Sequence, residues 1–190
     1  MILQTNDREM AIKVATDVID SISILRNVSR ATGYVTSDET TYGIIRLLAT
    51  KETSNEQAQL LKKTCTVCAL GACFLSLVSI DNKFTFPTQG SDTWMYFGNG
   101  FLSKSMERLM DVFTPEQMAL MENAFECSYA SYAQSNGYSY SFSPDHQEKR
   151  NRAIEFGGNF TYLKYGDDVG RLRLRAIMEN VIQNNGEFIP

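Results

Sequence analysis

The chain has 190 residues, of which 43% are hydrophobic, and it carries 18 Lys and Arg against 22 Asp and Glu. This length and apolar content predict one folded domain over residues 1–190 and exclude a disordered or collagen-like chain. The net charge of −4 argues against attachment of the whole surface to nucleic acid or to an anionic membrane.

Two helices are predicted in the first fifty residues. The first begins at Asn6, where Glu9 follows three residues later in the arrangement of a capping box, and its apolar residues recur at helical spacing up to Leu25. The second begins at Ser37 and carries apolar residues up to Leu48. Both patterns are typical of helices with one buried face.

A long helix is predicted to begin at the capping box Ser54–Gln57 and to continue into the apolar segment Cys65–Ile80. Nearly every face of that segment is apolar, so we expect it to be buried at the centre of the fold. Its sixteen residues would span about 24 Å as a helix, less than the roughly 30 Å of a bilayer core. No secretory signal is visible at the N-terminus. We therefore expect no membrane partner and a cytoplasmic location.

Short extended segments and helices alternate in the next part of the chain. Residues Lys83–Phe86 are predicted to form a short strand or an extended piece, and Ser103 is predicted to begin a helix that buries Leu109 and Phe113. The clearest helix start is Thr114–Gln117, in which Thr is the N-cap, Pro occupies the first turn and Gln reaches back to the cap. We expect that helix to continue to about residues 136–137.

The last part of the chain combines two strand candidates with two helices. The strand candidates are Tyr138–Phe142, for which an extended arm is the alternative, and Phe160–Tyr165. A polar helix is predicted from Ser143 through Arg152, ending before the glycine pair 157–158. A last helix is predicted after the capping residues 167–168, ending at 185–186. The sequence thus predicts a mainly α fold, a compact single-domain helical bundle around one buried helix, with two or three short strands; an α+β fold is the alternative.

The cysteines and the single histidine are the first candidates for catalysis or metal binding. Cys65 and Cys68 have the C-x-x-C spacing of redox and zinc sites, but Cys68 and Cys73 lie in an apolar run typical of a core. We predict inert core cysteines, no metal site and no cofactor. The only imidazole, His146, is expected on a solvated helix face, where it does not form a catalytic pair.

Two acidic residues four apart, Glu122 and Glu126, share one helix face. A partner or a metal is conceivable there, but a solvated acidic face is the expectation. With no recognisable catalytic group, the sequence favours a protein that is not an enzyme, without deciding the question.

Charge is unevenly distributed along the chain. Residues 106–127 carry five acidic side chains against one Arg, whereas residues 146–175 carry seven basic side chains against four acidic ones, with aromatic residues between them. Arg and Tyr are typical anchors of protein interfaces, and the same residues can bind phosphates and stack on bases. The candidate binding residues are Lys149, Arg150, Arg152, Arg171, Arg173, Arg175, Tyr138 and Tyr140. The alternative is that these bases pair with the acidic stretch inside the monomer.

Three stretches resemble small uncharacterised proteins of tailed bacteriophages and prophages. They are residues 67–76, 113–126 and 176–188, about a fifth of the chain. The resemblance implies a phage accessory protein in the host bacterial cytoplasm, of a kind that binds and inhibits a host factor or defence component. The leading hypothesis is therefore a non-enzymatic protein that binds a host protein. The alternatives are a nucleotide- or nucleic-acid-binding protein and, least favoured, a Cys- or metal-dependent enzyme. Homo-oligomerisation is left open.

Overall fold

The computed structural model is mainly helical with one small sheet, as the sequence predicts. It describes residues 7–29, 35–36, 41–84, 86, 108–128, 144–160 and 168–190. The helices whose two ends lie in the described residues are α1 (Arg8–Ser21), α2 (Thr41–Leu48), α3 (Ser54–Thr64), α4 (Ala69–Asp81), α5 (Pro115–Glu126), α6 (Pro144–Gly158) and α7 (Val169–Gln183). The strands are β1 (Asn27–Val28), β2 (Val35–Thr36) and β3 (Thr66–Val67).

Helix α4 is the centre of the core. All ten residues from Ala69 to Val78 are buried. The helix packs against α1, α3 and α5, while α6 packs on α5, and α7 packs on both α1 and α5. Because each fully buried Leu or Phe side chain contributes about 1.5–3 kcal/mol, this helix is a main source of folding free energy. The prediction of a buried central helix is confirmed.

The long helix predicted from Ser54 is interrupted, and that part of the prediction is wrong. Helix α3 ends at Thr64, the chain extends through β3, and α4 begins at Ala69. Strand β3 is the middle strand of the sheet, parallel to β1 and antiparallel to β2. Pairing with two distant segments, favoured by the β-branched Thr66 and Val67, therefore replaces one turn of helix.

The capping signals locate helix starts to within a residue. Thr53, rather than Ser54, caps α3 in a complete capping box with Glu56, and Asp7, rather than Asn6, caps α1. Thr114 accepts a hydrogen bond from the Gln117 amide at 3.2 Å, as predicted. Asp168 caps α7, and Gly186 follows that helix with a φ of 91°.

Two predicted helix ends are wrong. Helix α5 ends at Glu126, with Cys127 in the left-handed conformation, about ten residues before the predicted end. Helix α6 continues through Gly157 and Gly158. A Cβ at Gly157 would lie 1.7 Å from the Ala124 carbonyl oxygen, so this glycine allows α5 and α6 to approach closely and does not terminate the helix.

Of the two alternatives predicted for residues 83–86, a short strand or an extended piece, the strand is not formed, because Lys83, Phe84 and Phe86 belong to no strand. The two phenylalanine rings instead pack edge-on against Phe74 of α4, with ring centroids 5.0 and 6.1 Å away. Apolar contact with the central helix accounts for the alternating pattern there. The helix start predicted at Ser103, the strand predicted at 138–142 and residues 161–165 of the last strand candidate lie outside the described residues.

An ion pair between a buried lysine and a partly exposed aspartate joins α3 to α1. Lys62 is completely buried, and its Nζ donates to Asp17 Oδ2 at 2.6 Å and to Ser21 Oγ at 3.2 Å. Buried charges are tolerated when they are paired and hydrogen-bonded, as here. This pair fixes the position of α3 on α1 and serves the fold.

Candidate functional site

The predicted basic residues are divided between the interior of the fold and its surface. Arg171, in the first turn of α7, bonds to the Asp168 carboxylate and to the carbonyl oxygens of Ile22, Leu25 and Arg26, which follow α1. Those carbonyls would otherwise lack a helical partner. Arg171 is therefore a structural connection between α7 and α1.

Two further predicted residues also face the interior. Arg173 donates to the carbonyl oxygens of Gly157 at 3.1 Å and Phe125 at 3.2 Å, which links α7 to α6 and α5. Arg150 is buried. Arg175 is exposed, with its guanidinium 3.9 Å from Glu179 on the same helix. The predicted Tyr138 and Tyr140 lie outside the described residues.

Lys149 and Arg152 are exposed on α6 and have acidic neighbours. Lys149 Nζ lies 3.1 Å from Glu116 at the start of α5, and this hydrogen bond raises the pKa of the lysine. Arg152 pairs with Glu148 one turn earlier. The expected pairing of basic residues with the acidic stretch is thus present at Lys149 and Glu116.

A groove lies beside these two residues, and we define it by its lining. It encloses about 260 Å³ between α5, α6 and the last residues of the chain. The lining consists of Glu116, Gln117, Leu120, Lys149, Arg152, Glu187, Phe188, Ile189 and Pro190. Two acidic and two basic side chains balance in charge around an apolar floor. That combination is typical of a surface that binds protein side chains.

The closing segment, residues 187–190, forms one wall of the groove and is held by polar side chains. Gln117 Oε1 accepts from the Phe188 amide at 2.5 Å. The Asn180 amide group accepts from the Ile189 amide at 2.8 Å and donates to the Ile189 carbonyl at 2.7 Å. The Gln117 side chain, predicted to reach back to its own helix cap, therefore holds a segment 71 residues away.

Side-chain contacts complete the anchoring of the closing segment. The ring of Phe188 is buried and packs edge-on against Phe156 of α6, with centroids 5.3 Å apart. Glu187 pairs with Arg8 at the start of α1 at 2.5 Å. Ile189 is 54% exposed, the most exposed of the large apolar side chains in the described part of the chain. An apolar side chain thus stands at the mouth of the groove.

The expectation of a solvated acidic face at Glu122 and Glu126 is wrong for Glu122. The residue is half-buried, but its oxygen Oε2 is buried and has no hydrogen-bond partner among the described residues. Loss of solvent, and then the neighbouring charge of Glu126, raise the pKa of Glu122 to about 8. The carboxyl group is therefore mostly protonated at neutral pH.

The cysteines of the core are confirmed as packing residues. Cys65, Cys68 and Cys73 are buried and Cys127 is partly buried, and all four are free. Burial raises the pKa of Cys68 strongly and that of Cys73 to about 12, so both remain thiols at neutral pH and are poor nucleophiles. In the described ranges, no three His, Cys, Asp or Glu side chains are grouped to hold a metal ion.

His146 is not on a solvated face, contrary to the prediction. Its side chain is 14% exposed, and Nδ1 lies 3.4 Å from Glu116 Oε1. The imidazole thus sits between the starts of α5 and α6, where it contributes to packing near the groove.

No family model, curated protein or solved structure matches the chain. None of the described helices combines the length and the apolar character that a membrane crossing requires.

Sequence reasoning missed most residues of the groove. Gln117 and Asn180 are polar residues on helices, and nothing local indicates that they hold another segment. One signal was present: Phe188 and Ile189 are apolar residues directly after the helix stop at 185–186. Apolar residues beyond a helix stop indicate a segment that packs against the fold.

Proposed function

We propose that the chain is a non-enzymatic protein that binds another protein through the groove. The observation that carries this proposal is the exposed Ile189 beside an apolar floor and a charge-balanced rim. Apolar anchors ringed by polar side chains are the usual arrangement of a protein interface. The partner would insert an apolar side chain next to Ile189 and place polar groups against Lys149 and Arg152.

The resemblance to phage proteins supports a host bacterial protein as the partner. We propose that binding takes place in the host cytoplasm and inhibits a host component, such as part of a defence system. The nucleotide-binding alternative has less support. Arg171 and Arg173, two of the cations it requires, are bound to backbone carbonyls, and the groove carries no excess positive charge.

Capture from a bacterial lysate tests the proposal when two matched variants are compared. Ile189→Asp introduces a charge into the groove, whereas Ile24→Asp introduces the same charge at an isoleucine that is 41% exposed. Ile24 lies beyond the far end of α1 from Arg8, and that helix of 14 residues spans about 21 Å. A host protein should be captured by the wild type and by Ile24→Asp, and lost with Ile189→Asp.

Equal capture of a host protein by the wild type, Ile24→Asp and Ile189→Asp would contradict the assignment of the groove as the binding surface. Absence of any captured protein above background would contradict the binding function itself. Circular dichroism of each variant checks that the fold is retained.

A further inference from the structure

One carboxylate oxygen at the rim of the groove has two basic neighbours. Glu116 Oε1 lies 3.1 Å from Lys149 Nζ and 3.4 Å from His146 Nδ1. Glu116 and Lys149 line the groove, whereas the side chain of His146, in the first turn of α6, is only 14% exposed. The charge of Glu116 is therefore shared between a lysine of the groove and a histidine next to it.

His146 is the single histidine of the chain, and histidine is the side chain whose charge ordinarily changes between pH 5 and pH 8. Its acidic neighbours, Glu116 and Asp145, attract a protonated imidazole. Lys149, the buried Arg150 one turn further on α6 and the positive end of that helix repel it. Of these groups, Glu116 also lines the groove, so the protonation of His146 acts on the groove through Glu116.

Protonation of the imidazole changes the charges at the rim. When His146 is neutral, two acidic and two basic side chains line the groove, and Glu116 pairs with Lys149. A protonated imidazole is a second cation at the same oxygen and competes for it. Lys149 is then left with Asp145, whose Oδ2 lies 3.5 Å from its Nζ. The ammonium group becomes available to another anion, on the side of the groove that Arg152 also lines.

We propose that His146 is a pH-sensitive switch of the groove: its protonation transfers the ion pair of Glu116 from Lys149 to His146, and Lys149 then binds an acidic side chain of the partner protein. The affinity for such a partner rises as pH falls, while the apolar contact at Ile189 is the same in both states. This inference rests on the proposed function, since it names the charge that the partner presents and the regulation of its binding.

Acetylation of lysines by N-hydroxysuccinimide acetate, read by mass spectrometry, tests the switch in the full-length protein without a partner. The reagent modifies the neutral amine, so a lysine held by a carboxylate reacts slowly. Lys13 is a matched internal reference, because Glu9 lies 2.6 Å away and raises its pKa as Glu116 raises that of Lys149. From pH 8 to pH 5.5 the ratio of acetylation at Lys149 to that at Lys13 should rise about threefold, the size expected for loss of an exposed ion pair.

Two variants separate the switch from other effects of pH. His146→Asn keeps a hydrogen-bond donor near Glu116 but cannot become charged, so its ratio should be constant. Glu116→Gln removes the shared carboxylate, so its ratio should be high at both pH values. Glu122, with its pKa of about 8, titrates in the same range, but it is present in all of these proteins and its contribution is removed by the comparison.

A constant ratio in the folded wild type would overturn the switch, and so would a rise of the same size in folded His146→Asn. If His146→Asn fails to fold, Glu116→Gln decides. The switch predicts the same ratio at pH 8 and pH 5.5 in that variant, whereas a rise equal to that of the wild type would overturn it.

Capture from a bacterial lysate at the two pH values tests the charge of the partner. Relative to His146→Asn, the wild type should capture about threefold more host protein at pH 5.5 than at pH 8, because an exposed ion pair is gained. A lower relative yield at pH 5.5 would overturn the acidic partner.

The two proposals fail separately. A pH-dependent acetylation ratio without any captured host protein would support the switch and contradict a host partner. Capture that depends on Ile189, combined with a constant acetylation ratio, would support the groove as the binding surface and overturn the switch.

Discussion

The two ends of α7 use polar side chains in different ways. At the first end, Arg171 bonds to three carbonyls and one carboxylate of the protein itself. At the other end, Asn180 holds a four-residue segment beside an open groove, and Ile189 is exposed. At the first end the charged Arg171 donates to backbone carbonyls, whereas at the second end neutral side-chain amides hold a short segment. The comparison teaches that a basic residue of the sequence can be used by the fold, as Arg171 is, or remain exposed beside an open groove, as Lys149 and Arg152 do.

Helix α5 supports both ends, so a change in α5 should affect them together. Phe125 accepts from Arg173, and Gln117 accepts from Phe188. Glu122 lies between these residues on α5, and its carboxyl group interacts electrostatically with Glu126 and, at the start of α4, with Cys68. Ionisation of Glu122 is therefore a way to loosen both ends at once.

The largest expected effect on the free energy of unfolding is that of pH, through the ionisation of Glu122. Its pKa of about 8 in the folded protein lies above the ordinary value of 4.5 in the unfolded chain. The unfolded chain therefore releases the proton first, and the folded state loses stability as pH rises from about 4.5 to 8, with little further change above that. Between pH 5 and pH 9 the loss should be about 4 kcal/mol. Urea denaturation of the wild type and of Glu122→Gln measures it, since the variant lacks this titration.

Parallel pH profiles for the two proteins would contradict the buried state of Glu122. Hydrogen exchange adds a control for the comparison: at pH 9 the amides of Arg171 and of Ile189 should both exchange faster than at pH 6 after correction for intrinsic rates. Faster exchange of the Ile189 amide without faster exchange of the Arg171 amide would show that α5 does not support both ends of α7.

The second-largest effect on the free energy of unfolding is expected from Arg171, in the first turn of α7. Arg171→Ala leaves the carbonyls of Ile22 and Leu25 without their donor and should lower the free energy of unfolding by about 3 kcal/mol, since hydrogen bonds to charged groups contribute about 1.5–3 kcal/mol each. Arg175→Ala, on the same helix, removes only an exposed pair and should cost less than about 1 kcal/mol. Similar losses in both variants, measured by urea denaturation, would mean that Arg171 has no special structural role.

The smallest effect on stability is expected at the rim of the groove. Arg152→Ala removes an exposed pair with Glu148 and should change stability by less than about 0.5 kcal/mol. It should nevertheless reduce the yield of captured host protein, because Arg at an interface is a frequent source of binding free energy. Arg175→Ala is the matched control, since it removes an exposed arginine outside the groove. A reduced yield with both variants would indicate general electrostatic attraction.

Several elements could be predicted from the sequence because their signals are local. Thr114 and Pro115 begin α5, Asp168 begins α7, and the apolar run of α4 is buried as expected. The break at Thr66 and Val67 could not be predicted, since it depends on pairing with residues 27–28 and 35–36. Local periodicity continues through these two residues, and only the distant partners make them a strand.

The candidate site was harder to predict than the fold for the same reason. The excess of basic residues in 146–175 is real, but which of them are exposed depends on the packing of α6 on α5 and of α7 on α1 and α5. The burial of Glu122 likewise depends on surroundings outside its own helix, so the pattern of two acids four apart predicted a solvated face. Gln117 and Asn180 become binding residues only when the chain returns to them at residues 187–190.

Site-specific photo-crosslinking in bacterial cells tests the central claim, that the groove binds a protein partner, most directly. A photoreactive residue would replace Ile189 in one protein and Ile24 in another, and both would be produced at the same level. We predict a crosslinked host protein from position 189 and none from position 24. Crosslinks that are equally abundant at both positions, or absent at position 189 while present at position 24, would contradict the account.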